Sequence, residues 1–182
     1  MNTFNLIQGI IVSDIKDCHS CYEKQDNENL LCSLSAELLE PLAVSVVKHL
    51  KPAVFFFIEV PSSENDTQKN IYYLDNCTTD VALAIIKRYG GILFNDGLIE
   101  FGFGSHVDNS EIYFRNNQIV QIYSPDISIL ENLLDVPLEK NIKTLWDIFS
   151  DENYGEAIPV ELNGENVYDI LDNLTEVGLY EA

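Results

Sequence analysis

Apolar and polar residues alternate most strongly between residues 92 and 123, where the pattern predicts two β-hairpins. The first hairpin joins Ile92–Asn95 to Leu98–Phe103. Asp96-Gly97 is its predicted turn, because a type I′ turn needs positive φ at both central residues. Phe94 then lies opposite Ile99, and one face of the hairpin is wholly apolar.

The second hairpin joins residues 111–115 to residues 119–123, and two registers fit its sequence. A two-residue turn at Asn116-Asn117 would mix polar and apolar side chains on both faces. A three-residue loop pairs Ile112 with Ile122 and collects the apolar side chains on one face. Since a one-residue slip moves a strand's side chains to the opposite face, we expect the three-residue loop, with an asparagine in the left-handed conformation.

The two hairpins predict a four-stranded antiparallel meander whose apolar face requires helices for cover. Residues 53–60, AVFFFIEV, are apolar almost without alternation. This pattern is typical of a central strand that is covered on both faces. The predicted fold class is therefore α+β, with an antiparallel or mixed sheet built on the meander and helices packed on it.

Three segments carry the spacing of an amphipathic helix: Leu34–Leu50, Thr79–Tyr89 and Glu165–Val177. Gly90-Gly91 is expected to end the second helix, because glycine is common directly after the last helical turn. Asn163-Gly164 predicts a turn before the third helix.

Length and composition predict one folded domain over residues 1–182. A chain of this length can bury a sizeable core, and 46% hydrophobic residues are too many for general disorder. Within the domain, residues 13–32 are polar enough to predict an exposed excursion. Residues 131–182 are expected to form an acidic, mainly helical C-terminal part.

The charge of the chain is strongly negative, with 30 acidic and 10 basic residues and a net charge of -20. Such a field repels nucleic acids and anionic membranes, because both bind proteins through lysine and arginine. It attracts a basic protein partner instead. The simpler alternative is that the acidity only keeps the protein in solution.

Targeting and cofactor signals are missing from the sequence. The first residues show neither the basic region nor the cleavage site of a signal peptide, and residues 53–60 are too few to cross a membrane. We therefore expect a cytoplasmic protein whose four cysteines stay reduced. Neither a phosphate-binding loop nor a dinucleotide motif is present, and no cofactor is expected.

Cys18 and Cys21 form a C-x-x-C pair that encloses His19, and Cys32 follows farther along the chain. These four residues are the sharpest metal candidates, because zinc in proteins is bound by thiolates and imidazoles. A second tight ligand pair, typical of structural zinc sites, is missing, so small buried residues without a metal are the alternative. A redox role is disfavoured because no helix begins directly after the pair.

The loop between the two predicted hairpins contains Ser105, His106 and Asp108. Members of a catalytic triad usually converge from distant segments, and a G-x-S-x-G motif is absent. The loop therefore serves more simply as a connection between strands. A small hydrolytic enzyme that uses this loop, or a metal-dependent one that uses the cysteines, is the alternative function.

The leading functional hypothesis is an acidic protein of the bacterial cytoplasm that binds a basic protein partner. In size, acidity and compactness the chain resembles immunity and antitoxin proteins, which mask a basic toxin or nuclease, although no residue motif of such a family is present. The expected binding residues are four carboxylates around an edge strand predicted at Ala157–Leu162 and two tyrosines on the polar face of the meander: Asp151, Glu152, Glu156, Glu161, Tyr113 and Tyr123.

Overall fold

The structure is a computed structural model that describes residues 4–12, 15, 18–62, 68–150 and 155–182. Over these residues the chain forms ten β-strands and five α-helices. The strands are β1 (Ile10–Val12), β2 (Cys21–Lys24), β3 (Asn29–Ser33), β4 (Val54–Pro61), β5 (Lys69–Cys77), β6 (Glu100–Ser105), β7 (Ser110–Arg115), β8 (Ile119–Tyr123), β9 (Gly155–Ala157) and β10 (Tyr180–Glu181). The helices are α1 (Ala36–Val47), α2 (Thr79–Leu93), α3 (Ile127–Glu131), α4 (Leu145–Ser150) and α5 (Val167–Thr175).

Eight of these strands form one antiparallel sheet in the order β10-β5-β4-β6-β7-β8-β3-β2, and β1 pairs with β9 in a separate antiparallel sheet. The predicted α+β class, with helices on an antiparallel sheet, is confirmed. The central position predicted for residues 53–60 is also confirmed, because β4 lies between β5 and β6. None of the helices in the described residues is long and apolar enough to cross a membrane.

Helices α1 and α2 pack on one face of the large sheet, which we call the covered face. Leu39 of α1 and Leu93 of α2 line one small void together with Phe101. Phe94, directly after α2, packs edge-on against Phe101 and Phe114, with ring centroids 5.1 Å apart in both pairs. Strand alternation places eight buried apolar side chains on this face: Phe56, Ile58, Phe101, Phe103, Ile112, Phe114, Val120 and Ile122.

The register predicted for the second hairpin is confirmed. Ile112 lies opposite Ile122, and Phe114 lies opposite Val120. Residues 116–118 form the three-residue loop, in which Asn117 has the expected left-handed conformation with φ of 61°.

The first predicted hairpin is wrong. Ile92 and Leu93 form the last turn of α2 instead of a strand, and Gly90-Gly91 does not end that helix. Both side chains are buried and follow buried Ile85 and Ile86 by seven residues, which is two helical turns, so the helix continues through the glycines. The meander therefore has only three strands, β6 to β8, and β6 pairs with β4.

The expected excursion over residues 13–32 is wrong where the structure describes this segment as strand. Strands β2 and β3 pair with each other, and β3 joins the sheet beside β8. Leu30 and Cys32 lie opposite Ile122 and Val120 and are fully buried, because alternation along β3 directs them to the covered face. The described part of residues 131–182 is also less helical than expected, since α4 and α5 are separated by irregular chain and β9.

Asp96 links its loop to a distant segment instead of forming a turn. Neither Asp96 nor Gly97 has the positive φ that a type I′ turn requires. The buried Asp96 carboxylate accepts hydrogen bonds from the backbone N–H groups of Leu98 and Val160, both at 2.9 Å. Burial raises the pKa of Asp96, and the hydrogen bonds from backbone N–H groups offset only part of this effect.

Three backbone segments cross at Gly9, Gly97 and Ile158. Gly9 N donates to Asn95 O at 2.7 Å, Ile158 N donates to Gly9 O at 2.8 Å, and Gly97 N donates to Ile158 O at 3.0 Å. A Cβ atom at Gly97 would lie only 1.9 Å from Gly9 O. No rotamer change can relieve a clash with backbone, so the crossing requires glycine.

Gly97→Ala is predicted to lower the free energy of unfolding in urea denaturation by about 3 kcal/mol, the upper end of typical overpacking costs. Gly90→Ala is the matched control. Its Cβ atom would lie 3.3 Å from the flexible Glu40 side chain, and alanine is favoured over glycine in a helix by about 1 kcal/mol. Equal losses in the two variants would show that the backbone crossing is not the cause.

Candidate functional site

The face of the large sheet opposite α1 and α2, which we call the open face, is rich in aromatic rings. Alternation along β4 places Phe55 and Phe57 on this face, opposite Gly104 and Gly102 of β6. A Cβ atom at Gly104 would lie 2.3 Å from the Phe55 ring, and one at Gly102 would lie 2.5 Å from the Phe57 ring. The phenyl rings therefore lie directly over the glycines, which explains why they are only 7% and 5% exposed.

Further rings extend this pair into what we call the aromatic cluster, which consists of Phe55, Phe57, Tyr73, Tyr113, His106 and Tyr180. The Phe57 centroid lies 5.1 Å from that of Tyr113 and 5.9 Å from that of Tyr73. His106 stacks on Phe55 at 4.5 Å. These distances are typical of favourable aromatic packing, so the rings support one another across four strands and the loop after β6.

Tyr113 joins the aromatic cluster to the carboxylates of the open face. Its hydroxyl lies 2.8 Å from Glu59 Oε1 and 2.9 Å from Glu100 Oε2, and can donate its single hydrogen to either carboxylate. Burial and the two carboxylates raise the pKa of Tyr113 far above its ordinary value. The phenol therefore remains a neutral hydrogen-bond donor between two acids that lie opposite each other on β4 and β6.

Glu100 is a fully partnered anion. Burial alone would raise its pKa, but the Asn116 N–H, Lys69 and Tyr113 outweigh burial and hold the pKa of Glu100 below its ordinary value. Asn116 N and Lys69 Nζ both lie 3.0 Å from its carboxylate, and Arg115 Nε lies 4.0 Å away. Glu100 is therefore a structural carboxylate that holds two strands and a turn together.

Glu111 is the opposite case on the same face. It lies across from Gly104 on β6 and from Tyr123 on β8. Among the described residues its carboxylate has no hydrogen bond or ion pair. Burial raises the pKa of Glu111. Burial also raises the pKa of Tyr73, and after burial the nearby Glu111 carboxylate is the largest cause. A half-buried carboxylate beside aromatic rings is thus left available to a cation from outside.

The predicted binding residues do not all lie together. Tyr113 and Tyr123 are both half-buried on the open face. Glu156 is exposed in the small sheet, opposite Ile11 of β1. Glu161 is exposed and precedes Leu162, which forms a β-bridge with Glu165. The Glu165 carboxylate pairs with Arg88 of α2, so Glu161 lies on the helix side of the molecule. Asp151 and Glu152 lie outside the described residues.

The cysteine candidates separate into two groups. Cys32 is fully buried on the covered face, where burial strongly raises its pKa. Cys18 is half-buried. His19 and Cys21 come together with Glu139, and one ligand atom from each lies within 4.8 Å of the others. Burial and nearby Glu139 raise the pKa of Cys21 to about 11, so its thiol stays protonated without a metal, which disfavours redox chemistry.

The loop after β6 does not form a catalytic triad in the described structure. The buried Ser105 hydroxyl accepts a hydrogen bond from Val107 N at 3.1 Å. His106 turns to the open face, where it stacks on Phe55 and lies 3.4 Å from Asp75. Asp108 pairs with Lys51 at 3.6 Å. The three side chains therefore have separate structural partners.

Sequence analysis did not predict the aromatic cluster of the open face. A sequence signal for it was present, because Phe-Gly-Phe-Gly in β6 places both glycines on one face, where large rings from a neighbouring strand can fill the space. No comparable signal marks Glu139, a single acid in an irregular segment, as a neighbour of Cys21.

Comparison with known proteins supplies no relative for this chain. No protein-family model matches it, and neither a curated protein nor a solved structure shows a significant match. The geometry of the open face is therefore the basis for the function proposed below.

Tyr113→Phe is predicted to lower the free energy of unfolding at pH 7 by about 1–3 kcal/mol, because Glu59 and Glu100 lose the donor between them. The lowered pKa of Glu100 stabilises the wild-type fold above the unfolded pKa of that group, and this stabilisation is lost as the pH falls. A protonated carboxyl can also supply the hydrogen that the variant lacks. The difference between the two proteins should therefore shrink at pH 4.

Urea denaturation at the two pH values tests this prediction. Tyr73→Phe is the matched control, since it removes a hydroxyl from the same aromatic cluster that has no hydrogen bond within the described residues. The control variant should unfold like the wild type. If Tyr113→Phe lowers the free energy of unfolding as much at pH 4 as at pH 7, the proposed role of the two acids is ruled out.

Proposed function

We propose that this protein binds a basic protein partner through its open face, as a cytoplasmic bacterial protein of the immunity or antitoxin kind that masks a basic toxin or nuclease. The observation that carries the proposal is Glu111, a half-buried carboxylate beside aromatic rings that has no partner among the described residues.

The charge of the open face supports a basic partner. Its carboxylates include Asp75, Glu59, Glu100 and Glu111, whereas Lys69 and Arg115 both lie beside Glu100. Among the described residues, no lysine or arginine forms an ion pair with Glu59 or Glu111. This local excess of negative charge adds to the net charge of -20, which accelerates the approach of a basic protein.

The aromatic cluster supports binding through a cationic side chain. A lysine or arginine placed over a tyrosine ring gains a cation–π interaction, and the gain rises when water is excluded. Tyr123 lies directly opposite Glu111 on β8, so an incoming cation could contact this ring and the carboxylate together. Tyrosine is among the residues that dominate binding energy at protein interfaces.

The hydrolytic alternative receives less support from the geometry. Ser105, His106 and Asp108 are each engaged by other residues. The open face also offers no nucleophile paired with a base within the described residues. A binding surface accounts for the unpartnered carboxylate and the rings with fewer assumptions.

Glu111→Gln is predicted to weaken partner binding at least about tenfold, the loss expected when one member of a desolvated charge pair is removed. The free energy of unfolding should stay unchanged or rise, because the raised pKa of Glu111 means that burial disfavours its charged form. The partner is first captured on the immobilised protein from the host lysate at low salt, released with rising salt and purified. Its affinity for each variant is then measured by calorimetry.

Glu161→Gln is the matched control. It also removes one negative charge, but on the helix side, so the net charge changes equally in both variants. Its affinity should remain within about twofold of wild type. Equal losses in the two variants would refute the open face as the binding surface, and a marked loss of stability in Glu111→Gln would make that residue structural. Failure to capture any basic protein would favour acidity as a means of solubility alone.

A further inference from the structure

Three side chains with different ligand atoms converge beside β2, at the edge of the large sheet. They are His19, Cys21 and Glu139, of which one imidazole nitrogen, the Sγ atom and one carboxylate oxygen lie within 4.8 Å of one another. In the part of the chain that the structure describes, this is the only such group of three or more histidine, cysteine and acidic side chains. It lies apart from the aromatic cluster and has no role in the proposed partner binding.

We propose that His19, Cys21 and Glu139 bind a zinc ion. Zinc takes imidazole nitrogen, thiolate sulfur and carboxylate oxygen, and sites with three protein ligands add a water molecule in the fourth position. A set that contains thiolate and imidazole favours zinc over magnesium or calcium, which prefer oxygen ligands alone.

The backbone holds the ligands together across a separation of 120 residues between His19 and Glu139. Residues 137–139 run alongside β2, where Tyr22 N donates to Pro137 O at 3.0 Å and Glu139 N donates to Tyr22 O at 2.8 Å. Asn141 N then donates to the Glu23 carboxylate at 2.9 Å. Glu139 is thus fixed beside Cys21 by contacts on both sides, without any contribution from a metal.

The separation between His19 and Glu139 requires only a small adjustment for zinc. With bonds of about 2.0–2.3 Å in a tetrahedron, neighbouring ligand atoms lie roughly 3.3–3.7 Å apart. His19 Nε2 lies 2.8 Å from Glu139 Oε1, so these two groups must separate by about half an ångström to admit the ion. Their side chains are 54% and 38% exposed and can move, whereas Cys21 is 2% exposed and forms a fixed anchor.

This ligand set differs from the one that the C-x-x-C pair predicts. Cys32 is buried on the covered face, opposite Val120. Only Cys21 of the three cysteines belongs to the group with His19 and Glu139. A zinc ion there would cross-link β2 to residues 137–141 and stabilise that edge of the sheet.

Metal titration of the untagged, metal-free protein tests the proposal. Co²⁺ should bind one to one and give the near-ultraviolet charge-transfer band of a cobalt–thiolate bond. Zn²⁺ should displace it, because thiolate and imidazole ligands suit zinc, while excess Mg²⁺, which prefers oxygen ligands, should not. Zn²⁺ should also raise the Tm, because a ligand that binds only the folded state stabilises it. Failure to bind Co²⁺, or displacement by Mg²⁺, would overturn the proposal.

Variants assign the ligands. Cys21→Ser should abolish the charge-transfer band, and Glu139→Gln should weaken Zn²⁺ binding more than about tenfold. The matched controls are Cys18→Ser, which removes the neighbouring thiol, and Glu28→Gln, which removes an exposed carboxylate from the connection between β2 and β3. Both should retain wild-type affinity. Because Glu139 is partly exposed, its variant reports on the site even if Cys21→Ser folds poorly. Persistence of the band in Cys21→Ser, or equal losses in a control and its matched variant, would refute the assignment.

Discussion

Burial of β4 on both faces is the constraint on which the rest of the structure depends. Phe56 and Ile58 are completely buried on the covered face, and Phe55 and Phe57 are nearly so on the open face. The first pair requires helices, but the second is accommodated by the neighbouring strand, where Gly102 and Gly104 provide the space. The aromatic cluster can therefore form because β6 has glycine at the two positions that the phenyl rings of β4 cover.

The success of local sequence patterns depended on whether tertiary packing agreed with them. Asn163-Gly164 does form a turn with φ of 55° and 78°, whereas Asp96-Gly97, an equally strong signal, does not. The difference lies in the residues upstream, because the buried stripe of α2 extends to Leu93 and leaves no strand to pair. The second hairpin was predictable because, of the two loop lengths that fit, only the three-residue loop collects the apolar side chains on one face.

Face assignments within the candidate site followed from alternation, but partnerships did not. A period of two is enough to place Tyr113 and Glu111 on the same side of β7. It cannot show that Glu59, from a strand more than fifty positions earlier, accepts a hydrogen bond from Tyr113, or that Glu111 lacks any such partner among the described residues. Glu139 reaches Cys21 through backbone pairing between distant segments, which no local pattern encodes.

Glu100 and Glu111 differ in a way that bears on the proposed binding function. A carboxylate that only improves solubility works best fully hydrated, with an ordinary pKa and no burial. Glu100 is buried but has a backbone donor, a lysine and a tyrosine, so its charge stabilises the fold. Glu111 is half-buried without such partners, and burial raises its pKa. Under the proposed function, a cation from the partner completes this pair and removes the cost of burying an unpaired charge.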